Sequence, residues 1–325
     1  MLKIGLIGCG YMGTMHANCY RHIAGAKLAA VADIQRNRAE TLAAPAGAEI
    51  YGDGAELLSR ADVDAADICL PTYLHAKYAL SAMEKVKYVF IEKPVALTAE
   101  ECDLLLEKSR ETGCRVQVGQ VIRFWDEYAA LKKMADSGLY GKTVNANFRR
   151  ISPRPGWGWE NWLCDASRSG GAAQDLHVHD VDFILSLYGK PKKFYSVKNK
   201  TGEKNSYINT IMEYEDKAVS AEGTWDLPAC HPFEASFRVV FEKAVAEYAG
   251  GKLAVYDENG VSYPEMPKKE VSGENFEGGN ISDLGGYYNE LAYFCERAAK
   301  REEIDRATLK DAAESLKFVL SEIGF

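Results

Sequence analysis

Two groups of residues in this 325-residue chain have the types and spacing to handle charge and protons. The first is a lysine at the end of an apolar run, where Tyr88, Val89, Phe90 and Ile91 lead into Glu92, Lys93 and Pro94. If that run is a strand of a parallel sheet, Lys93 presents an ammonium group where such sheets bind ligands, and Pro94 restricts the turn that carries it. The second group lies between about Ala172 and Tyr188, a stretch closed by Gly189 with Pro191 just beyond. Read as a helix, it puts Leu176, Phe183 and Leu187 on one side and Asp175, His179 and Asp182 on another. Steps of three and four residues let a carboxylate orient or charge the imidazole, the side chain that titrates nearest neutrality. His177 would complete a metal-ligand set with Asp175 and His179, but a helix turns it away from both, and no metal is expected. Each group also has a plain alternative, a solvated charge before a turn or a solvated helix face.

The elements around Lys93 favour the chemical reading. Ile4 to Ile7 form a short apolar run, Gly8, Gly10 and Gly13 fall on GxGxxG, and a helix is predicted from Met12 to His22, closed by Gly25. In that order, strand, glycine turn and helix place backbone amides of Gly8 to Gly13, with Tyr11 and Met12 between, around a dinucleotide pyrophosphate. A second strand, Leu28 to Ala32, ends in Asp33, twenty residues beyond Gly13. An acidic group there accepts both ribose hydroxyls and repels a 2′-phosphate, which favours NAD; Arg36 and Arg38 keep NADP possible. The alternation continues with strands at Ala65 to Leu70, Tyr88 to Ile91 and Arg115 to Val118 and helices at His75 to Met83 and from Ala99, the latter bounded by a Thr98/Glu101 capping box and Gly113. Repeated βα units predict a doubly wound parallel sheet, with Pro71, Thr72, His75, Glu92 and Lys93 on loops that could touch the cofactor.

Beyond Gln120 the pattern changes, and the expected organisation is a nucleotide-binding domain over 1–121 and a substrate-binding domain over 122–325. A helix is predicted around Asp126 to Ser137, then strands at Thr143 to Ile151, Lys193 to Lys198, Ser206 to Tyr214, Ala218 to Trp225, Ala235 to Phe241, Ala244 to Tyr248 and Lys252 to Tyr256. Their short connections predict an antiparallel sheet. Two late helices carry apolar stripes at Tyr287, Leu291, Phe294 and Ala298 and at Leu309, Ala312, Leu316 and Leu320. The irregular stretch Ser152 to Gly171 holds Trp157, Trp159 and Trp162, whose indole faces suit a sugar or cyclitol or else plug a seam. Arg123, Asp165 and His231 join Trp157 and Trp162 as candidate substrate contacts.

Composition limits the partners. With 47% hydrophobic and 26% charged residues and a net charge of -8 spread along the chain, no basic footprint for nucleic acid or anionic lipid is present. No run of about eighteen apolar residues is available to span a membrane. The eight cysteines have no CxxC spacing and read as reduced thiols, and the start shows no signal-peptide pattern, so a cytoplasmic protein is expected.

GCGYMG at Gly8 to Gly13, EKP at Glu92 to Pro94 and GGAAQDLHVHDVD at Gly170 to Asp182 together resemble the Gfo/Idh/MocA family, named for glucose-fructose oxidoreductase and inositol dehydrogenase. The resemblance implies a Rossmann domain followed by an open antiparallel-sheet domain, an NAD(P)-dependent oxidoreductase, a homo-oligomer (dimer or tetramer) formed through that sheet, and Lys93, Asp175 and His179 as the catalytic set. His177 departs from the glycine many members carry, which bears on the substrate pocket. The chemistry is consistent: taking hydride from a secondary alcohol calls for a base of near-neutral pKa at the hydroxyl, a role for His179, and a fixed cation at the oxygen, a role for Lys93. Asp175 would hold a neighbouring hydroxyl or orient the other two. The leading expectation is a dehydrogenase of a sugar, sugar derivative or inositol. NAD-assisted glycoside cleavage with internal cofactor recycling and a non-catalytic NAD-binding regulator are the alternatives.

Overall fold

The computed structural model describes residues 1–199, 205–267 and 284–324. The chain divides into two compact units, Met1–Val121 with Lys269–Glu314, and Ile122–Lys268 with Ser315–Phe325. A single cut after residue 121 therefore does not describe the division, because a late segment is counted with the first unit.

The first unit alternates strand and helix: β1 (Leu2–Ile7), α1 (Tyr11–His22), β2 (Ala26–Ala32), α2 (Arg36–Ala46), β3 (Glu49–Tyr51), α3 (Gly54–Arg60), β4 (Ala65–Ile68), α4 (Thr72–Met83), β5 (Tyr88–Ile91), α5 (Ala99–Thr112) and β6 (Arg115–Val118). The sheet order is β3-β2-β1-β4-β5-β6 and its pairings are parallel, the order of a doubly wound dinucleotide-binding sheet. β4 and β5 are buried along their whole length, as strands covered on both faces must be. Both halves of the Thr98/Glu101 capping box form, and Gly113 takes the left-handed conformation that ends α5. β4 stops at Ile68, two residues short of the expected Leu70, and α4 begins at Thr72 instead of His75.

The second unit contains α6 (Asp126–Ser137), β7 (Thr143–Pro153), a short α7 (Ala166–Ser169), α8 (Val178–Tyr188) and the strands β8 (Lys193–Lys198), β9 (Tyr207–Glu213), β10 (Ala218–Leu227), β11 (Glu234–Phe241), β12 (Ala244–Ala249), β13 (Lys252–Asp257) and β14 (Gly260–Ser262). Their order is β14-β13-β12-β11-β7-β10-β9-β8, antiparallel except at its centre, where β7 and β10 run parallel. α8 packs on those two strands. The sheet's covered face buries Phe148, and Tyr128 of α6 meets Phe183, Phe237 and Tyr248 edge-on with ring centres 4.9, 5.1 and 6.0 Å apart.

Two helices complete the described chain. α9 (Gly285–Lys300) packs on α1 and β1, burying Tyr287, Leu291, Phe294 and Ala298, the stripe its sequence predicts. α10 (Leu309–Ile323) runs from the first unit's segment into the second's.

Candidate active site

The glycine turn after β1 is built to admit a ligand at one position and to pack tightly at the others. Gly8 has φ +98, and a Cβ there would stand 2.4 Å from the carbonyl oxygen of Cys69. A Cβ on Gly13 would come within 1.9 Å of the carbonyl of Gly8, so this glycine lets α1 approach its own turn. Gly10 faces open space, with nothing within 4 Å of where its Cβ would be. α1 begins at Tyr11, followed by Met12, and no side chain caps its N-terminus, which leaves its first amides for an anion. These features fit a pyrophosphate at Gly10.

Asp33 follows β2, and its carboxylate accepts the backbone N–H of Cys9 at 2.7 Å and of Gln35 at 2.7 Å. It thus ties the glycine turn to the end of β2, with lone pairs left for a diol. Arg38, in the first turn of α2, is near enough to Cys9 to lower the pKa of that thiol, while burial, the larger effect, and the Asp33 charge raise it to about 12. On the loop after β4, Pro71 precedes α4 and Thr72 begins it, with the Thr72 hydroxyl buried and lacking a hydrogen-bond partner among the described residues.

Lys93 follows β5, half-buried, in a segment held from both ends. The Lys93 backbone N–H donates to Glu92 Oε2 at 3.0 Å, and the carbonyl of Pro94 lies 2.7 Å from His75 Nδ1. His75 Nε2 is 2.7 Å from the carbonyl of Leu70; burial lowers the pKa of this ring, and as a neutral imidazole it donates to one of the two carbonyls, at the meeting of the loops after β4 and β5. Two cofactor assignments change on this geometry. His75 is buried with both ring nitrogens on backbone carbonyls, and Glu92 is buried with one oxygen on His16 and the other on Lys93 N–H; both support the loop from within.

The second candidate group begins in a π-helical turn, Ala173–His177, which runs into α8. The single regular helix expected from about Ala172 is therefore interrupted, a feature common at functional sites. Asp175 lies in this turn, half-buried, and His179 is buried in the first turn of α8. Asp182 does not join them as a third titratable group. It is fully buried, accepts Arg123 Nε at 2.6 Å and a second guanidinium nitrogen at 2.8 Å, and takes the Ser315 hydroxyl at 2.9 Å. That pairing commits the Arg123 guanidinium that was expected to meet substrate.

Asp180 is held in the same manner, by Arg150 at 3.0 and 3.1 Å, and Arg150 also donates to the Tyr128 hydroxyl at 3.0 Å. At about 100° per residue these carboxylates lie on either side of His179 around the helix, so two arginines fix its rotation. Sequence inspection missed this clamp, because Arg150 and Asp180 are thirty residues apart and neither belongs to a local pattern. His177 is buried too, with Nε2 3.3 Å from Glu322, and it packs on Gly223 of β10, where a Cβ would be 2.9 Å from its own.

The remaining substrate candidates separate by environment. Trp162 is partly buried against Leu163, Ala172, Leu176 and Trp225, which makes it a packing residue of its unit, while Trp157 is 46% exposed. Asp165 is an exposed helix cap, accepting the N–H and hydroxyl of Ser167, bonds that lower its pKa. His231 bonds the neighbouring Pro232 carbonyl at 2.7 Å. Among the described residues the ligand atoms of Asp175, His177 and His179 do not converge; the two sets that do are His16, Asp67 and Cys69, and His16, Glu92 and Glu290.

Comparison with known proteins follows the same division. Residues 2–120 match the model of an oxidoreductase family with an NAD-binding Rossmann fold, and residues 128–247 match the GFO/IDH/MocA C-terminal domain. Over 190 residues the chain is 35% identical to an inositol 2-dehydrogenase of Pseudomonas savastanoi pv. phaseolicola, covering 57% of this chain and 54% of that protein. It is also 35% identical over 191 residues to the scyllo-inositol 2-dehydrogenase (NAD(+)) of Bacillus subtilis, covering 58% and 54%. The chain thus spans about half the length of these curated relatives. In fold it resembles an oxidoreductase from Agrobacterium radiobacter in complex with NAD+, L-tartaric acid and magnesium, with TM-score 0.85 at 18% identity over 98% of this chain and 94% of that one.

Proposed function

The chain belongs to the Gfo/Idh/MocA oxidoreductase family, and from that premise we propose that it transfers a hydride between NAD and a secondary alcohol or ketone of an inositol, sugar or sugar derivative. One observation carries the reading: a lysine follows β5, its backbone held on both sides, in a sheet whose glycine turn leaves space for a dinucleotide only at Gly10. Gly10 and the first turn of α1 would hold the pyrophosphate, and Asp33 the adenosine ribose. The bound dinucleotide supplies the hydride acceptor or donor.

The protein's own groups do the rest. In the oxidative direction His179 takes the hydroxyl proton and Lys93 stabilises the charge that develops on the oxygen. Asp175 holds a neighbouring hydroxyl or orients the two others. Ketone reduction runs the same steps backward. The first unit binds cofactor and the second binds substrate, with Trp157, like Trp159 an exposed indole, suited to a ring's CH face. NAD is preferred because Asp33 repels a 2′-phosphate; Arg38 is the residue through which NADP would be accommodated. Similarity to inositol 2-dehydrogenases favours an inositol among polyols.

The open face of the second sheet carries Tyr195 (70% exposed) opposite Ile211 (55% exposed) on the adjacent strand. With Arg149, Glu222 and Asn147 nearby on that face, it suits a second copy of the chain. The described cysteines are all free thiols, in keeping with the cytoplasm. The deciding experiment is a panel of cyclitols and sugars with NAD and NADP, following absorbance of the reduced nicotinamide. NAD-dependent turnover of at least one polyol is expected, and its absence across the panel would remove the proposal.

A further inference from the structure

The first unit buries a histidine that touches neither expected ligand. His16 lies on α1 with no exposed surface, its Nδ1 2.8 Å from Asp67 Oδ2 and its Nε2 3.0 Å from Glu92 Oε1. An ionised carboxylate only accepts, so both contacts are hydrogen bonds only when each ring nitrogen carries a proton. The other neighbours of the two carboxylates are donors as well. Asp67 accepts the Tyr20 hydroxyl at 2.8 Å and faces the Cys69 thiol at 3.5 Å, while the second oxygen of Glu92 accepts the N–H of Lys93. The imidazole is more basic than either carboxylate, and the additional proton is placed on the ring.

We propose that His16, doubly protonated between Asp67 and Glu92, is a positioning residue for Lys93, acting through the Glu92 carboxylate. The assignment rests on the reading of Lys93 given above. The carboxylate has little room to move, since a Cβ on Gly119 would already be 3.0 Å from Glu92 Oε1. Its position is thus set by His16 on one side and transmitted to the Lys93 amide on the other. His75 Nδ1 lies 2.7 Å from the carbonyl of Pro94, on the other side of the lysine.

The surroundings keep the ring charged. Facing it are Cys19 and Tyr20 from α1, Asp67 and Cys69 from β4 and its end, Glu92 after β5, and Tyr287 and Glu290 from α9. Burial by itself would push the His16 pKa down, but the Asp67 charge, Cys69, whose sulfur lies 3.2 Å from Nδ1, and the hydrogen bonds to both prevail and hold it well above its ordinary value. Burial raises the phenols of Tyr20 and Tyr287 and the thiols of Cys19 and Cys69, leaving them neutral. Glu290 has neither oxygen hydrogen-bonded, and burial with the Glu92 charge lifts its pKa well above the carboxylate range. The acids hydrogen-bonded to the ring are Asp67 and Glu92.

The test combines histidine ¹⁵N NMR with kinetics of Asp67→Asn, using His16→Gln to assign the resonance. In the wild type both His16 nitrogens should remain protonated at pH 8; a neutral ring there overturns the proposal whatever the activity. Asp67→Asn removes the charge that keeps the ring protonated, so kcat should fall with rising pH at a midpoint at least one pH unit lower than in the wild type. The KM for NAD should hold within about twofold, because the glycine turn is untouched. An unchanged midpoint in folded Asp67→Asn overturns the proposal. If wild-type protein turns over no polyol, the hydride-transfer reading fails separately, and the Lys93 amide resonance becomes the readout. Its displacement across the same pH range in Asp67→Asn supports the positioning role, and a stationary resonance rejects it.

Discussion

In the second unit the cations that hold α8 are arginines: buried Arg150 on Asp180 and Tyr128, and partly buried Arg123 on Asp182, which also accepts the Ser315 hydroxyl. In the first unit the corresponding position is taken by a histidine, His16 between Asp67 and Glu92. Arginine keeps its proton at any pH a protein survives, so the clamp around His179 is insensitive to pH. A histidine keeps its proton only while its neighbours hold it there, so the support beneath Lys93 depends on the charge of Asp67. The contrast shows how one chain can pair a helix fixed by permanent charge with a loop fixed by a titratable one.

The largest expected effect comes from removing the group each region holds. Lys93→Met should lower kcat by about three orders of magnitude with NAD affinity retained, and His179→Gln by about two to four, both measured in steady-state assays. If either variant keeps full activity, its region has been assigned the wrong role. Next comes Arg150→Met, which leaves Asp180 buried and unpaired; a loss of about 3–5 kcal/mol in denaturant unfolding is expected, of similar size at pH 6 and pH 9.

The opposite pH behaviour is expected of the first unit. His16 has a raised native pKa, so its contribution is complete below the unfolded value near 6.5 and fades as pH rises through the native one. Glu290 also has a raised native pKa, so above the ordinary carboxylate range its ionisation favours the unfolded chain. Glu290→Gln should therefore stabilise the protein by about 1–2 kcal/mol more at pH 9 than at pH 5, read from chemical melts at both. Equal effects at the two pH values would show that the comparison between the units is misdrawn. The smallest effect serves as a reference: Thr98→Ala should cost about 1 kcal/mol by losing the α5 cap, with no change in activity.

The sequence is most legible where structure is local. The capping box at Thr98 and Glu101, the stop at Gly113 and the order of β1, glycine turn and α1 each depend on residues within one or two turns, and the structure has them all. α2, β3 and α3 went unassigned because an alanine-rich helix containing Pro45 and a three-residue strand carry little periodicity. Distance in the chain hid the rest. Asp182 has the spacing of a site residue, but its partner Arg123 is 59 positions away, and His16 meets Glu92 across 76. Asp165 is legible in a different way, since an aspartate two residues before Ser167 is a local capping signal.

The clamp on α8 has a consequence for changing specificity. Because Asp180 and Asp182 are gripped by Arg150 on β7 and Arg123 ahead of α6, the orientation of His179 does not rely on the tryptophan-bearing stretch before it. That stretch can be rewritten, lengthened or exchanged for another while His179 stays in place, which under the proposed function would admit a new substrate. Grafts between residues 154 and 161, short of the packed Trp162, are therefore the starting point for redesign, and changes at Arg123 or Arg150 the ones to avoid.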